Sequence, residues 1–125
     1  MSQEMIGVVQ YMTNKGTWEN VPLYKGDNTL VEIWIGGRDI YDYLQEYCYN
    51  LESSDATALN DILGFYEDDY DTPDWKAVHF ATLKYLANRG NVDMVKLSNK
   101  VEIIAELAEI YATMDQIRLV YFLDY

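Results

Sequence analysis

The first third of the chain has the residue pattern of β-strands. Apolar, β-branched and aromatic residues fill positions 6–12, and the turn-forming residues Asn-Lys-Gly-Thr follow at 14–17. A return strand is expected over residues 18–24, at an edge or shortened, because Pro22 has no N–H to donate. Residues 30–35 give the clearest strand in the chain. We therefore expect a three-stranded antiparallel meander.

From residue 39 onward the hydrophobic period becomes helical. Gly36 and Gly37 form the predicted strand-to-helix turn, and a helix over residues 39–51 separates an apolar side from an acidic side. The apolar side consists of Ile40, Leu44, Tyr47, Cys48 and Leu51, and the acidic side of Asp39, Asp42 and Glu46. A second short helix is predicted to start after Ser53 or Ser54 and to bury Leu59, Ile62 and Leu63.

A third helix is predicted after a loop at residues 67–71. Thr72, Pro73 and Asp74 have the order of an N-cap, a first helical position and an acidic first turn. One face of this helix would carry Trp75, Val78, His79, Leu83 and Leu86. Gly90 is the expected stop, since glycine favours the position just after a helix.

The last third is predicted to contain a further helix and a closing strand. Residues 92–97 fit either a short helix or a strand, and Asn99 with Glu102 resembles a capping pair. The helix that follows has the apolar stripe Val101, Ile104, Leu107, Ala108 and Tyr111. Residues 117–123 fit a strand that returns to the sheet, with a helix as the alternative. The whole chain, residues 1–125, is thus predicted as one α+β domain: an N-terminal three-stranded antiparallel sheet packed against about four helices, joined by a C-terminal strand.

Composition narrows the range of functions. The chain has 125 residues, of which 50% are apolar or aromatic, enough for one core. Its formal charge of -12 argues against direct binding to nucleic acid or to anionic lipid. From the residues at the N-terminus we expect neither a signal peptide nor a membrane span, and the single Cys48 excludes an internal disulfide. We expect a cytoplasmic protein.

The acidic residues are concentrated in one segment. Residues 39–75 contain eleven acids and no Lys or Arg, whereas residues 1–38 contain four acids and three bases and residues 76–125 contain six of each. Like charges crowded in this way repel one another and oppose compaction, so a surface that serves only solubility normally mixes both signs. The negative field of this segment is therefore predicted to have a use.

The residues with the most reactive side chains give no catalytic or metal site. His79 is the only histidine and is interpreted as a hydrogen-bonded packing residue, and Cys48 as a small buried hydrophobe. The spacing Asp69-x-Asp71-x-x-Asp74 fails as a calcium loop of the EF-hand type, because the central Gly and the final Glu are missing. We predict no enzyme activity, no metal and no cofactor.

Tyrosines accompany the acids. Six of the twelve tyrosines lie between residues 41 and 70, too many to be covered by a core of this size. Tyrosine supplies large contact area and carboxylates complement Arg and Lys, so the segment is predicted to bind a basic protein. The predicted binding residues are Asp39, Asp42, Glu46, Glu67, Asp68, Asp69, Tyr70 and Asp71.

The acidic segment on a small domain resembles the inhibitors of phages and mobile elements that imitate DNA, namely antirestriction and anti-CRISPR proteins. The local likeness is to antirestriction proteins of the ArdA type, in which a strand, an Asn/Gly turn and a Trp precede an acidic helix. The matching positions here are residues 8–11, Asn14 to Gly16, Trp18 and residues 39–46. This resemblance implies a non-enzymatic inhibitor that occupies the basic nucleic-acid groove of a host nuclease or regulator.

Two other classes of function remain open on the sequence alone. A scaffold or accessory protein would use the same segment to dock a basic partner outside any nucleic-acid groove. A small enzyme would use carboxylates whose site the sequence does not reveal. The sequence also leaves open whether the protein forms a homo-oligomer and whether its acids share one face.

Overall fold

The computed structural model of the protein describes residues 4–21, 33–63, 73–110 and 112–124. These residues form strands and helices in an α+β arrangement, as predicted. The strands are β1 (Glu4–Met12), β2 (Trp18–Asn20), β3 (Ile33–Gly36), β4 (Tyr49–Asn50), β5 (Lys76–His79) and β6 (Ile117–Asp124). The helices are α1 (Arg38–Leu44), α2 (Ser53–Leu63), α3 (Phe80–Asn88), α4 (Val92–Leu107) and a 3-10 helix at Met114–Gln116.

The strands of the described residues form one antiparallel sheet in the order β2-β1-β6-β5-β4, with β3 also paired to β1. β6 pairs with residues 4–11 of β1, which confirms the predicted C-terminal strand. β2 and β3 share the other edge of β1, at residues 10–12 and 5–7. The hairpin is confirmed, but the meander is wrong, because the nine-residue β1 is long enough to pair with both short strands. Pro22 and residues 30–32 lie outside the described residues.

The first helix is shorter than predicted. α1 ends at Leu44, and a turn over residues 45–47 leads into β4, where Tyr49 and Asn50 pair with Ala77 and Lys76. Tyr, Cys and Asn have lower helix propensity than Leu or Ala, and pairing with β5 satisfies the backbone groups that further helix would have used. The predicted continuation to Leu51 is therefore wrong, and Glu46 lies in the turn.

The third helix begins later than predicted. Residues 76–79 form β5 between β4 and β6, and α3 starts at Phe80. The helical spacing of Trp75, Val78 and His79 is overridden because this segment is buried on both sides in the sheet, with Trp75 on one side and Val78 on the other. Thr72 lies outside the described residues. The predicted stop is confirmed: α3 ends at Asn88, and Gly90 has a φ of 91°.

One continuous helix replaces the two elements considered for residues 92–107. The Asn91 side chain accepts a hydrogen bond from the Met94 N–H at 3.1 Å and caps α4. The predicted capping pair Asn99 and Glu102 is wrong, since both lie inside the helix. Leu107 is 65% exposed, so the predicted apolar stripe is buried only in part. Neither α4 nor any other helix in the described ranges is long and apolar enough to cross a membrane.

The sheet carries apolar side chains on both faces. One face, here called the inner face, packs against α3 and α4, and Leu119 and Tyr121 of β6 are buried in it. The opposite face, the α2 face, is covered in part by α2 through Leu59, which is 1% exposed. The apolar cluster on the α2 face comprises Ile6, Leu59, Trp75, Ala77, Val120 and Phe122. The prediction that α2 buries Leu59 is confirmed.

Candidate functional site

The predicted binding residues are described only in part. Asp39 and Asp42 lie on α1 and Glu46 in the turn that follows, and all three are exposed. Glu67, Asp68, Asp69, Tyr70 and Asp71 lie outside the described residues. The three-residue spacing of Asp39 and Asp42 places them about one helical turn apart on α1, and Glu46 follows beyond the end of the helix. The described part of the predicted site is therefore the surface of α1 and its C-terminal turn.

Tyrosines lie on the same segment as these acids. Tyr43 and Tyr47 are each 37% exposed, and their ring centroids are 5.9 Å apart. Tyr47 was predicted on the apolar side of a longer helix, and its exposure follows from the early end of α1. We call Asp39, Asp42, Tyr43, Glu46 and Tyr47 the α1 surface.

Three bases outside residues 39–75 form ion pairs with acids of this segment. In the described residues, Arg38 Nε lies 3.4 Å from Asp42, Lys76 Nζ lies 3.4 Å from Asp74, and Arg118 lies 3.4 Å from Asp55. Four other acids of the segment form no ion pair within the described ranges: Asp39, Glu46, Glu52 and Asp61. The segment is thus partly neutralised by the two bases that flank it, Arg38 and Lys76, and by the distant Arg118, and in the described residues two carboxylates of the α1 surface have no ion pair.

A base also lies at the margin of the α1 surface. Arg89, just after α3, donates a hydrogen bond to the Tyr85 hydroxyl at 3.0 Å, and its guanidinium stands 5.6 Å from the Tyr85 ring centroid. The Tyr85 hydroxyl raises the pKa of Arg89, and Tyr47 and Tyr43 act in the same direction. Arg89 therefore borders the tyrosine side of the α1 surface, while the acids Asp39 and Glu46 remain unpaired.

A second candidate site lies on the α2 face of the sheet, beyond the apolar cluster. The register places Asn20, Gln10, Arg118 and His79 in one row across β2, β1, β6 and β5. Side chains of a strand alternate between the faces, so Arg118 points away from the inner face that holds its neighbours Ile117 and Leu119. The N-terminal hairpin of β1 and β2 and the distant strands β5 and β6 thus build one polar row.

Arg118 is buried, with only 3% of its surface exposed, and its guanidinium has partners on several sides. Its Nε donates to Gln10 Oε1 at 2.8 Å, and Gln10 donates in turn to Asn20 at 2.9 Å. Further nitrogens donate to the Tyr49 hydroxyl at 3.1 Å and to Asp55 at 3.4 Å. The charge lies 4.2 Å from the Trp18 ring centroid, a cation–π distance. These contacts fix the plane of the guanidinium.

A cavity of about 680 Å³ opens over this row, and we call it the Arg118 pocket. Rings form much of its wall: the His79 ring centroid is 5.2 Å from that of Tyr49 and 6.1 Å from that of Trp18. The remaining lining residues are Gly16, Thr17, Asn50, Glu52, Asp55 and Arg118. His79 Nδ1 is buried and has no hydrogen-bond partner among the described residues. The prediction of His79 as a hydrogen-bonded packing residue therefore fails at this nitrogen.

Sequence reasoning missed the Arg118 pocket. The available signal was a single Arg inside the otherwise apolar stretch 117–123, because a charge in a buried strand requires partners. Those partners could not be named from the sequence, since Gln10 lies at the other end of the chain and Tyr49 was assigned to a helix. The predicted position of His79 on a helix separated it from Arg118, whereas β5 places the two side by side.

Cys48 and Tyr121 do not belong to either site. Cys48 is a free, half-buried cysteine whose thiol approaches the Gln45 carbonyl at 3.7 Å. Burial raises the pKa of Tyr121, and the neighbouring Cys48 thiol adds to the effect. In the part of the chain that the structure describes, the Tyr121 hydroxyl has no nitrogen or oxygen partner. The described residues contain no group of three or more His, Cys, Asp or Glu able to hold a metal ion.

Two regions therefore carry the chemistry of the described chain. The α1 surface offers exposed carboxylates and rings, and the Arg118 pocket offers a buried cation beneath aromatic walls. Comparison of the chain with protein-family models, with curated proteins and with solved structures finds no match.

Proposed function

We propose that this protein is a non-enzymatic inhibitor that binds the basic nucleic-acid groove of a nuclease or other nucleic-acid-binding protein, with carboxylates in place of phosphates. The observation that carries the proposal is the concentration of eleven acids and no base in residues 39–75, which includes the exposed α1 surface. Grooves that bind nucleic acid are lined by Lys and Arg, so such a segment complements them. A partner of this kind acts in the cytoplasm, where we place this protein too.

The spacing of the acids on the α1 surface supports an imitation of DNA charge. Residues three or four apart on a helix have Cβ atoms about 5–6 Å apart. Asp39 and Asp42 have this spacing on α1, and Glu46 adds a third exposed carboxylate in the turn that follows the helix. Duplex DNA carries one charge per about 1.7 Å of axis, counted over both strands, or one per about 3.4 Å along each strand. The carboxylates are therefore more widely spaced than the charges along one DNA strand, but the two spacings are of the same order.

The tyrosines give the surface contact energy in addition to charge. Tyr43 and Tyr47 present neighbouring exposed rings beside the acids. Aromatic residues are enriched at protein interfaces because they bury large area at low entropic cost, and their faces accept Arg and Lys. Arg38 is an exposed partner of Asp42, and an exposed pair of this kind is worth about 0–1 kcal/mol, so a partner's Arg can displace it.

Affinity capture from a lysate of the native host tests this proposal. We would compare the wild-type protein with a variant of the α1 surface (Asp39→Asn, Asp42→Asn, Glu46→Gln) and with a variant of the second predicted cluster (Asp68→Asn, Asp69→Asn, Asp71→Asn). A charge-matched control changes three acids outside the segment: Glu4→Gln, Glu106→Gln and Asp115→Asn.

The proposal predicts that the wild-type and control proteins capture the same nucleic-acid-binding protein and that one or both acidic-segment variants lose it. Net charge changes equally in all three variants, so loss in the control as well would indicate a general charge effect. Equal capture by all four proteins would contradict a role for the acidic segment.

A further inference from the structure

We propose that the Arg118 pocket binds a small carboxylate, whose two oxygens take the guanidinium N–H groups that the protein leaves unpaired. The ligand class is a planar monoanion with an aromatic or otherwise flat body. This inference stands independently of the acidic segment, because none of the residues of the α1 surface lines the pocket.

Arg118 has more N–H donors than the described part of the protein supplies with acceptors. A guanidinium has five N–H donors and cannot lose its charge inside a protein. In the described part of the chain three of these donors have acceptors, on Gln10, Tyr49 and Asp55. Removal of a cation from water is costly unless it is fully paired. A buried guanidinium with donors to spare beside a cavity is therefore suited to an anion.

Asp55 is a weak partner of Arg118. Its Oδ2 lies 3.4 Å from Arg118, at the long limit of a hydrogen bond, and its side chain is 33% exposed. Asp55 belongs to the first turn of α2, at the rim of the pocket. A ligand carboxylate in better geometry can take its place, since the bidentate fork between Arg and carboxylate is among the strongest charged hydrogen-bond arrangements.

The walls of the pocket indicate the body of the ligand. Trp18, Tyr49 and His79 present aromatic surface around the guanidinium, and the cavity volume of about 680 Å³ exceeds the space that a carboxylate group fills. Flat molecules pack well against such rings. The His79 ring is half-buried and forms part of this aromatic wall.

The charge of the rim favours a monoanion over a phosphate. Glu52 and Asp55 both line the pocket and repel a second negative charge, while a single carboxylate can be neutralised by Arg118. Planar carboxylates also match the guanidinium fork in shape. The structure therefore points to a carboxylate, and inorganic phosphate serves as the contrasting probe.

An NMR titration of the full chain with sodium benzoate tests the proposal, with the Arg118 Nε–H and the Trp18 indole N–H as reporters. The decisive comparison is Asp55→Asn with the control Asp61→Asn, which removes the same charge from an exposed site on α2 outside the pocket. If Asp55 competes with the ligand, Asp55→Asn tightens benzoate binding about two- to fivefold, the worth of a partly exposed ion pair, while Asp61→Asn leaves it unchanged.

A second variant tests the guanidinium itself. Arg118→Lys keeps the charge and removes the planar fork, so benzoate binding should be lost while inorganic phosphate shows no saturable shift in any variant. Should Arg118→Lys fail to fold, the pair of α2 variants still decides the question.

Three outcomes would overturn the proposal. The first is the absence of any saturable benzoate shift at Arg118 and Trp18 in the wild-type protein. The second is an Asp55→Asn variant that binds benzoate no more tightly than Asp61→Asn does. The third is phosphate binding as tight as benzoate binding, which would refute the assignment to carboxylates.

Discussion

The Arg118 pocket and the α1 surface use charge in opposite ways. In the pocket one buried cation is held by Gln10, Tyr49, Asp55 and the Trp18 ring. On the α1 surface several acids face solvent, and the one ion pair described there joins Asp42 to the exposed Arg38. The pocket is built from five separate segments of the chain, whereas the α1 surface comes from one run of nine residues.

The contrast between a buried and an exposed charge implies that the pocket serves the stability of the fold and that the α1 surface is free to serve binding. A buried charge cannot lose its partners without a large cost to the fold, because the remaining groups stay unsatisfied. Exposed charges contribute little to folding, so their arrangement is free to serve a partner. Substitutions in the pocket should therefore change the free energy of unfolding, and substitutions on the α1 surface should change binding alone. The predictions below follow this contrast from the largest effect on stability to the smallest.

The largest loss is expected for Arg118→Ala. Gln10, Tyr49 and Asp55 would lose a donor and Trp18 its stacked cation, a change that should lower the free energy of unfolding by about 3–5 kcal/mol. Urea unfolding followed by tryptophan fluorescence measures it. The exposed control Arg38→Ala should stay within about 0.5 kcal/mol of wild type. Similar losses in the two variants would erase the distinction between pocket and surface.

Leu59→Ala should have the next largest effect. Leu59 is buried between α2 and the sheet, so its truncation leaves a cavity and costs about 2–4 kcal/mol in the same unfolding assay. Because α2 also carries Asp55, the Arg118 Nε–H resonance should shift in the folded variant. A cost below about 1 kcal/mol would contradict the packing of α2 on this face of the sheet.

Tyr121→Phe tests a buried hydroxyl that, unlike Arg118, has no described hydrogen bond to nitrogen or oxygen. The Tyr121 hydroxyl has no nitrogen or oxygen partner within the described ranges, so its removal should change the free energy of unfolding at neutral pH by no more than about 1 kcal/mol. Burial raises the pKa of Tyr121 in the folded state, whereas an unfolded tyrosine ionises near about pH 10.

The contribution of protonated Tyr121 to the free energy of unfolding is therefore fully present below about pH 10. It is lost as the pH rises above that value, because the unfolded state releases the proton more readily than the folded state. Unfolding curves measured across this range should show a smaller alkaline loss of stability for Tyr121→Phe than for the wild type. The same alkaline loss in both proteins would refute the assignment to Tyr121.

The smallest change in stability is expected for the α1-surface variant Asp39→Asn, Asp42→Asn, Glu46→Gln. Relief of repulsion opposes the loss of Asp39 from the first turn of α1, so the net change should stay within about 0.5 kcal/mol. Thermal and urea unfolding check it. A loss comparable to that of Arg118→Ala would show that these acids serve the fold.

The elements that the sequence predicts correctly are those with a strong local pattern. Residues 6–12 and 117–123 are β-branched and aromatic, and both form strands. The errors arise where pairing with a distant strand decides the outcome: β6 makes residues 76–79 a strand despite their helical spacing, and β5 ends α1 early by pairing with Tyr49. Such pairings depend on partners that a local window does not contain.

The two sites follow the same rule. The acids of the α1 surface could be predicted because Asp39, Asp42 and Glu46 are neighbours in sequence and their exposure follows from charge alone, whereas the exposure of Tyr47 depends on the early end of α1. The Arg118 pocket could not be, because Gln10 and Arg118 are 108 residues apart and meet only through the register of β1 and β6. What the sequence shows of this pocket is one charged residue in an apolar strand.

Competition with duplex DNA tests the central claim, that the acidic segment occupies a nucleic-acid groove, most directly. The protein captured from the host lysate would be purified, bound to the wild-type chain and titrated with duplex DNA at constant ionic strength, since salt alone weakens any charged interface. An inhibitor that imitates DNA predicts complete displacement of the chain by DNA, with weaker initial binding by the α1-surface variant. A ternary complex of partner, chain and DNA would contradict the claim and assign the acidic segment to an ordinary docking interface.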